Sequence, residues 1–470
     1  MSADFKEALT LPPENKIKSG KLIIISGMSG SGKSMIANLL AKSFNYALIK
    51  KYVTRPFRKA EIEAEIRGEN VGIRSVLGLY NNGEEGLEQQ EKFNEDRIKR
   101  FKALRPQITY TNYNNFYGFS TTEIDNYLDQ GRNAVIIVTD PGAIKDLKRI
   151  YAGKCLSCYI HRAIPKNKDI FIEIAKLRED TPDSAETRYR QAQREWNLYI
   201  NNIELYDYTI LNTESGTDRL KNVIKELDAN GWENKDKKME QREKSKTTKP
   251  KIYLLCGSPG SGKDDILEII RTECFFHSII LPKHTTRDRR ENDGEEMICP
   301  GDAGFNMQSC DVQYQNFGTT YGINTREIRE RLEDGISSSI VVSNESALKY
   351  LQGMFPNEVV TIYIQGLSKE EYIIQERKNS NDEYVQKRIA QYDNANSFYY
   401  TNWLFFDHII INNGDLKDLK LQIHNILEYY DKERSLNGYA DKANKYIARF
   451  ARVASSKESK WKFLVMNSLV

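Results

Sequence analysis

The chain carries the same punctuated stretch twice, and no other feature limits its fold as tightly. "GMSGSGKS", Gly27 to Ser34, follows the apolar run Lys21–Ser26; "GSPGSGKD", Gly257 to Asp264, follows the run Lys251–Cys256. Each leads into a helix-like segment, SMIANLLAKSF in one half and DILEIIRTECF in the other. A short apolar run, a glycine-rich turn and a helical pattern predict strand, loop and helix in that order. In such a unit the glycines let the backbone wrap around a phosphate with its N–H groups pointing inward. The helix N-terminus adds positive partial charge, and the lysine reaches the β- and γ-phosphates of a nucleotide. Gly27, Ser29, Gly30, Ser31, Gly32, Lys33 and Ser34 form this loop in the first half, and Gly257, Gly260, Ser261, Gly262, Lys263 and Asp264 form it in the second. Ser34 offers a hydroxyl to Mg2+, whereas Asp264 offers a carboxylate at the same place.

The rest of each half has one order of elements. Strand candidates AVIIVT, CLSCYI and YTILN follow in the first half, and SSIVVS, VVTIYI and HIIIN in the second. Helix-like segments separate them, such as STTEIDNYLDQG and NTREIRERLEDG. Alternating strands and helices imply βαβ units. The expected fold is therefore α/β, with two tandem P-loop domains, each a parallel sheet flanked by helices. The first domain spans 19–229, with a partly helical insertion at about 68–105. The second spans 251–430, and a helical extension covers 431–470, where Tyr439, Ala443, Tyr446, Ile447 and Phe450 fall on one helical face. Between the domains lies NGWENKDKKMEQREKSKTTKP, 230–250, whose density of charge reads as a linker.

A second basic cluster follows each loop: "TRPFRKAE" with Arg55 and Arg58, and "TTRDRRENDGEE" with Arg287 and Arg290. Two guanidinium groups three residues apart, recurring behind the same loop, suit a second anion beside the nucleotide, because arginine forks match phosphate oxygens. With these clusters the chain resembles the guanylate kinase family, twice over, across most of 19–229 and 251–430. The resemblance implies that the arginine segment holds the acceptor phosphate and that Tyr117-Gly118 and Tyr321-Gly322 line the base pocket. It implies that Arg178 and Arg188, and in the second half Arg377 and Arg388, close over the phosphates from a lid and the helix after it. Asn212 and Asn412, ending the last strands, are placed near the adenine of ATP. The expected reaction is ATP- and Mg2+-dependent phosphoryl transfer to a nucleoside or deoxynucleoside monophosphate, with Lys33, Arg55, Arg58, Arg178 and Arg188 as the catalytic cations. The alternative is a non-catalytic nucleotide- or protein-binding module built from degenerate domains of this kind.

The sequence departs from the family pattern where the base is read. Phe119 and Ile108 stand at the two guanine-reading positions of the first half, and Ile323 and Val312 in the second. Apolar side chains cannot pair with a base edge, so strict guanine specificity is not expected. The family's acidic strand position holds Thr139 and Ser343, with Asp140 and Glu345 the nearest carboxylates, and Met297 replaces a phosphate-contacting tyrosine. The first half is thus expected to be the stronger catalyst.

Composition excludes other classes. A balance of 69 Lys+Arg against 66 Asp+Glu leaves +3, so no global field favours nucleic acid or a membrane surface. The start has no signal-peptide pattern, and the six dispersed cysteines point to a reducing cytoplasm. Cys155 and Cys158 form a CxxC within a strand-like stretch and read as buried thiols. The expected partner is a small phosphorylated molecule, with 68–105 and 431–470 as surfaces for a protein partner.

Overall fold

A computed structural model describes residues 20–431 except 56, 58, 68–71, 77–86, 113–114, 162–181, 213–216, 245–249, 292, 295, 317, 367–371, 374–381 and 413–414. The side chains of 59, 60, 64, 87–94, 182–185, 188, 217–219, 237–244 and 382 also lie outside the description. The chain divides into two compact units, with breaks at 26/27, 32/33 and 157/158.

In the first unit, strand β1 (Leu22–Gly27) runs parallel to β7 (Ala134–Ile137), which runs parallel to β2 (Ala47–Leu48). Every residue of β1 is buried, as a continuous apolar run predicts for a strand covered on both faces. Helix α1 (Lys33–Ser43) follows the loop and buries Ile36, Ala37 and Leu40. A second sheet, absent from the sequence reading, comprises β3 (Lys51–Val53), β4 (Ile73–Ser75), β5 (Ile108–Asn112) and β6 (Asn115–Phe119) in the order β4-β3-β6-β5. Its β3–β6 and β5–β6 pairs are antiparallel. Helices α2 (Lys59–Ile66) and α3 (Leu87–Ala103) lie between β3 and β5 in the chain, α3 within the expected insertion. Phe101 of α3 packs on Phe116, 5.9 Å between ring centres. Helix α4 (Thr121–Asp129) is capped by the Ser120 hydroxyl and α5 (Pro141–Ile150) by the Asp140 carboxylate.

The second unit holds loop 27–32, strand β8 (Cys155–His161) from Cys158 onward and β9 (Tyr208–Leu211); the two strands pair in parallel over Cys158–His161. Cys155 and Cys158 are buried free thiols, like the other four cysteines. Helix α6 (Pro182–Ile200) precedes β9, and helix α7 (Thr217–Lys244) follows it. Helix α7 corrects the reading of 230–250 as linker throughout: 230–244 is helical. Trp232 is buried, Lys235 lies 3.7 Å from Asp207 in a buried ion pair, and Tyr208 donates its hydroxyl to the Gly231 carbonyl. Buried Leu220, Val223, Ile224 and Leu227 set a helical stripe that Trp232 extends, a signal hidden when composition is averaged over the charged stretch.

The same unit holds a five-stranded sheet in the order β11-β16-β10-β17-β18. Its strands are β10 (Ile252–Gly257), β11 (Ile279–Ile280), β16 (Ser338–Val341), β17 (Val359–Gln365) and β18 (His408–Ile411), all joined in parallel pairs. A smaller sheet has the order β13-β12-β15-β14, from β12 (Lys283–Thr285), β13 (Met297–Ile298), β14 (Val312–Asn316) and β15 (Thr319–Ile323). Helices α8 (Lys263–Thr272), α9 (Thr325–Glu333), α10 (Glu345–Met354), α11 (Asp382–Asn402) and α12 (Leu416–Tyr430) accompany them. One core joins Leu255, Ile266, Ile270, Ile362, Ile410 and Ile423 beneath the glycine-rich loop.

Candidate active site

Strand β10 delivers Gly257 to the end of the sheet, and the chain turns through Ser258–Gly262 into α8. Gly262 has φ +87°, a left-handed conformation that glycine adopts without a Cβ penalty. The Lys263 ammonium folds back over the loop, donating to the carbonyls of Ser258 at 2.7 Å and Gly257 at 3.1 Å. Burial lowers its pKa, and the nearby Arg388 acts in the same direction. The buried Ser258 hydroxyl has no hydrogen-bond partner, and neither has the Ser31 hydroxyl of the first loop. A cradle with orphaned hydroxyls and a lysine turned into it fits a polyphosphate.

The last strand braces the loop. Asn412 donates Nδ2 to the Ser261 carbonyl at 3.1 Å, and Asn212 donates to the Ser31 carbonyl at 2.8 Å. Both asparagines thus hold the loop's backbone. From the other side, the buried Tyr372 ring lies so close to Gly260 that a Cβ there would come within 2.8 Å. Arg388 on α11 stands 5.9 Å from the Tyr372 ring and donates to the Gln391 amide oxygen at 3.3 Å. Loop, lysine, ring and guanidinium form one group.

Strand β12 leads into Arg287. Its guanidinium makes two parallel bonds to Asp293, 2.5 and 2.6 Å, and Asp293 also accepts from the Arg290 backbone N–H at 2.7 Å. Hydrogen bonding to Asp293 raises the Arg287 pKa, with a smaller contribution from Tyr321. Burial opposes ionisation of Asp293, but Arg287 and the Arg290 N–H outweigh it and hold the pKa below the ordinary carboxylate value. The Arg290 side chain is exposed. Tyr321 stacks on Tyr314 across the hairpin, 5.5 Å between ring centres.

The first half repeats these local arrangements. Arg55 is bidentate to Glu61 at 2.7 Å for both bonds, and Tyr117 stacks on Tyr110 at 5.3 Å. Arg97 of α3 donates to the Thr54 carbonyl at 3.4 Å, beside Arg55. In loop 27–32 the Ser29 N–H donates to the Glu195 carboxylate of α6. One carboxylate oxygen therefore already accepts from an amide of the loop.

The two positions expected to face the base lie across from each other in each half. The register sets Ile108 opposite Phe119 and Val312 opposite Ile323, and all four side chains are buried. Asp140 is a helix cap and accepts from the Ala143 N–H at 2.8 Å, while exposed Glu345 pairs with Lys349 at 2.6 Å. Both carboxylates thus already have a partner within their own helix segments. Among the described residues no group of three or more His, Cys, Asp or Glu could hold a metal. Ser34 and Asp264 are exposed single oxygen donors at the starts of α1 and α8. One such oxygen fits Mg2+ that takes its other ligands from phosphate and water. Arg58, Arg178 and Arg377 lie outside the described residues, as does the side chain of Arg188.

Sequence reasoning missed the carboxylate partners Glu61, Asp293 and Glu195, the aromatic Tyr372, and the buried lysines Lys51 and Lys283. The lysines carried a signal: each stands four residues before the first arginine, in KYVTR and KHTTR.

Comparison with known proteins agrees with this geometry at the level of class. No protein-family model matches the chain. It is 26% identical to the guanylate kinase of Clostridium perfringens (strain 13 / Type A) over 215 residues, covering 46% of this chain and 84% of that protein. With the guanylate kinase of Clostridium tetani it shares 26% over 210 residues, covering 44% and 86%. Among solved structures, guanylate kinase from Anaplasma phagocytophilum aligns at 19% identity over 43% of this chain and 96% of that one, with a TM-score of 0.29. The chain is therefore a relative of guanylate kinases over a little under half its length. The described residues include no helix long and apolar enough to cross a membrane.

Proposed function

We propose that the chain is an ATP-dependent phosphotransferase of the nucleoside monophosphate kinase type, built from two tandem domains and not strictly specific for guanine. The observation that carries this reading is the group around the second loop: Lys263 folded into a cradle with an orphaned serine hydroxyl, with Arg388 in electrostatic range of it. A cradle alone would serve binding. Convergent cations beside it serve transfer, which needs aligned anions and neutralised charge more than a general base.

In the proposed reaction an oxygen of the acceptor phosphate forms a bond to the γ-phosphorus of ATP. The bond from that phosphorus to the β,γ-bridging oxygen breaks, and its electron pair stays on ADP. Bound Mg2+, with Ser34 or Asp264 as protein ligand, would neutralise the β- and γ-oxygens. Lys33 and Lys263 hold the transferred group in their respective halves. Arg55 and Arg287, oriented by Glu61 and Asp293, hold the acceptor phosphate with Arg58 and Arg290. Arg178, Arg188, Arg377 and Arg388 close the site against water. Buried Ile108, Phe119, Val312 and Ile323 present no hydrogen-bonding group to a base edge, so no guanine-reading pair supports guanine preference.

The test is ATP turnover against a panel of ribo- and deoxynucleoside monophosphates and sugar phosphates. ADP formation dependent on one acceptor supports the reading, and a thousandfold preference for guanosine monophosphate overturns its specificity part. A binding module is the second reading, favoured by the Ser29–Glu195 bond, in which a carboxylate already takes a loop N–H. Nucleotide binding without turnover of any acceptor would select it.

A further inference from the structure

Lys283 is a buried side chain with few partners. It opens β12, the strand that leads to Arg287, and is 5% exposed. Its ammonium donates to the Val341 carbonyl at 2.7 Å and lies 4.9 Å from the centre of the Tyr321 ring. Val341 ends β16, which is parallel to the loop-bearing β10, so the ammonium sits at the carboxyl end of the sheet, where ligands of such folds bind. The charged groups acting on it are Lys263 and Asp264 from the start of α8, Arg287 after β12 and Glu296 before β13. Among the described residues, the Cys256 thiol of β10 and the Tyr321 phenol of β15 also lie close to it. Burial, then repulsion from Lys263 and Arg287, pushes its pKa down to about 7.

The first half has a lysine at the same strand position, with a different hydrogen-bond partner. Lys51 opens β3 and is buried. It lies 3.5 Å from the Tyr110 hydroxyl and 5.7 Å from the Tyr117 ring, and Tyr117 acts in turn on Arg55. Burying an ammonium beside other cations is costly, and an apolar residue would fill the same volume more cheaply. Two halves that share only part of their sequence both keep a lysine there, next to an arginine–tyrosine pair.

We propose that Lys283 and Lys51 are phosphoryl-binding residues, each supplying an ammonium on the acceptor side of its half that meets the anionic group in transit. The inference rests on the phosphotransferase reading and adds a cation that the glycine-rich loop and the arginine pairs do not account for. The free site would hold Lys283 largely neutral at mildly alkaline pH. A phosphate dianion then draws a proton onto it, so the positive charge arrives with the ligand.

The test is calorimetric titration of the full chain carrying Lys33→Ala with Mg·ATP at pH 8, in two buffers of different ionisation enthalpy. With a free-state pKa of about 7, binding should take up ~0.9 proton per chain. Lys283→Met should abolish the uptake and weaken Mg·ATP binding about ten- to a hundredfold, the loss of one charge-assisted bond. Lys283→Arg should recover much of the affinity with no proton uptake. Mg·ATP binding with no uptake, or with uptake unchanged in Lys283→Met, overturns the inference while leaving the loop assignment intact. No binding of Mg·ATP by the Lys33→Ala chain, seen before any proton is counted, overturns the reading of the second loop and the inference with it.

Discussion

Gly262→Ala tests whether the second loop is a preformed phosphate cradle. At φ +87° an alanine pays about 1–2 kcal/mol for the left-handed conformation. Its Cβ would also collide with Nδ2 of Asn412, the atom that donates to the Ser261 carbonyl, and losing that bond adds about 1 kcal/mol. Together these disfavour the native loop by about 2–3 kcal/mol, which leaves only a small fraction of chains able to bind and raises the apparent Kd about 30- to 150-fold. The assay is equilibrium titration with Mg·ATP in the full chain, with Lys33→Ala to silence the first half. Asn412→Ala alone removes one bond and should cost about fivefold. In the double variant the collision has nothing to displace, so its penalty should fall clearly below the product of the two single effects. Binding of Gly262→Ala within twofold of its parent would refute the preformed cradle; a fully multiplicative double variant would refute the role of Asn412.

Three further outcomes are expected. Lys33→Ala should lower turnover by about 10²-fold or more by removing a cation from the transition state, while Lys263→Ala should chiefly weaken nucleotide binding. The reverse pattern in steady-state kinetics would show that the second half is the main catalyst. Nucleotide binding in the second half should depend more steeply on Mg2+ than in the first, because Asp264 adds negative charge beside the polyphosphate; equal dependence in the Lys33→Ala and Lys263→Ala chains would remove that distinction. Asp293→Asn should destabilise the protein by about 1–3 kcal/mol, because it leaves the half-buried Arg287 unpaired. The folded Asp293 pKa is depressed, so its stabilisation is present above the ordinary carboxylate pKa and is lost as pH falls through the folded value. Thermal melts of the variant should therefore show less acid sensitivity below about pH 4.

The sequence exposed the parts of the fold that depend on local chemistry. Continuous apolar runs marked β1, β8, β10 and β17, and the helix-like segments STTEIDNYLDQG and NTREIRERLEDG are α4 and α9, which Ser120 and Asn324 cap. The loops were legible because glycine spacing and a following lysine are a local requirement. What stayed hidden depends on long-range contact. The small mixed sheets escaped because β3 and β12 are three residues long and β13 is two, too short for a period to register. The sequence reading named Asn212 and Asn412 for a place near the adenine, but their hold on the loop carbonyls, which spans 181 and 151 residues of chain, was not legible. Glu61 and Asp293 lay six residues past their arginines, yet in charged surroundings nothing in the pattern set them apart as partners.

The contacts between 196–226 and the second half bear on why the chain carries the motif twice. A terminal strand of a sheet leaves unpaired backbone groups, and proteins cover such edges to prevent association. Strands β9 and β18 both end their sheets. Tyr399 and Tyr400 of α11 donate their hydroxyls to the carbonyls of Thr209 and Leu211 on β9, at 3.2 and 3.1 Å. Trp196 of α6 donates to Asp418 of α12 at 2.7 Å, and Asn425 of α12 donates to the Ile200 carbonyl at 2.7 Å. In the opposite sense Trp403 donates to Glu226 of α7 at 2.8 Å and packs on Tyr208. The pattern is reciprocal: α6 meets α12, and the segment after α11 meets α7, as in an interface between like surfaces. Trp403→Phe keeps the apolar contact but strands the Glu226 carboxylate, a loss of about 1–3 kcal/mol. The double variant Trp403→Phe/Glu226→Leu should recover most of it, because the stranded charge is gone. Measured by urea denaturation of the full chain, equal stability of the single variant and the parent would show that this bond contributes nothing to the seam. A double variant less stable than the single one would show that Glu226 has another partner. Tyr399 also lies 3.4 Å from the Leu211 N–H, one residue before Asn212, so the seam that covers β9 also fixes the residue bracing the first loop.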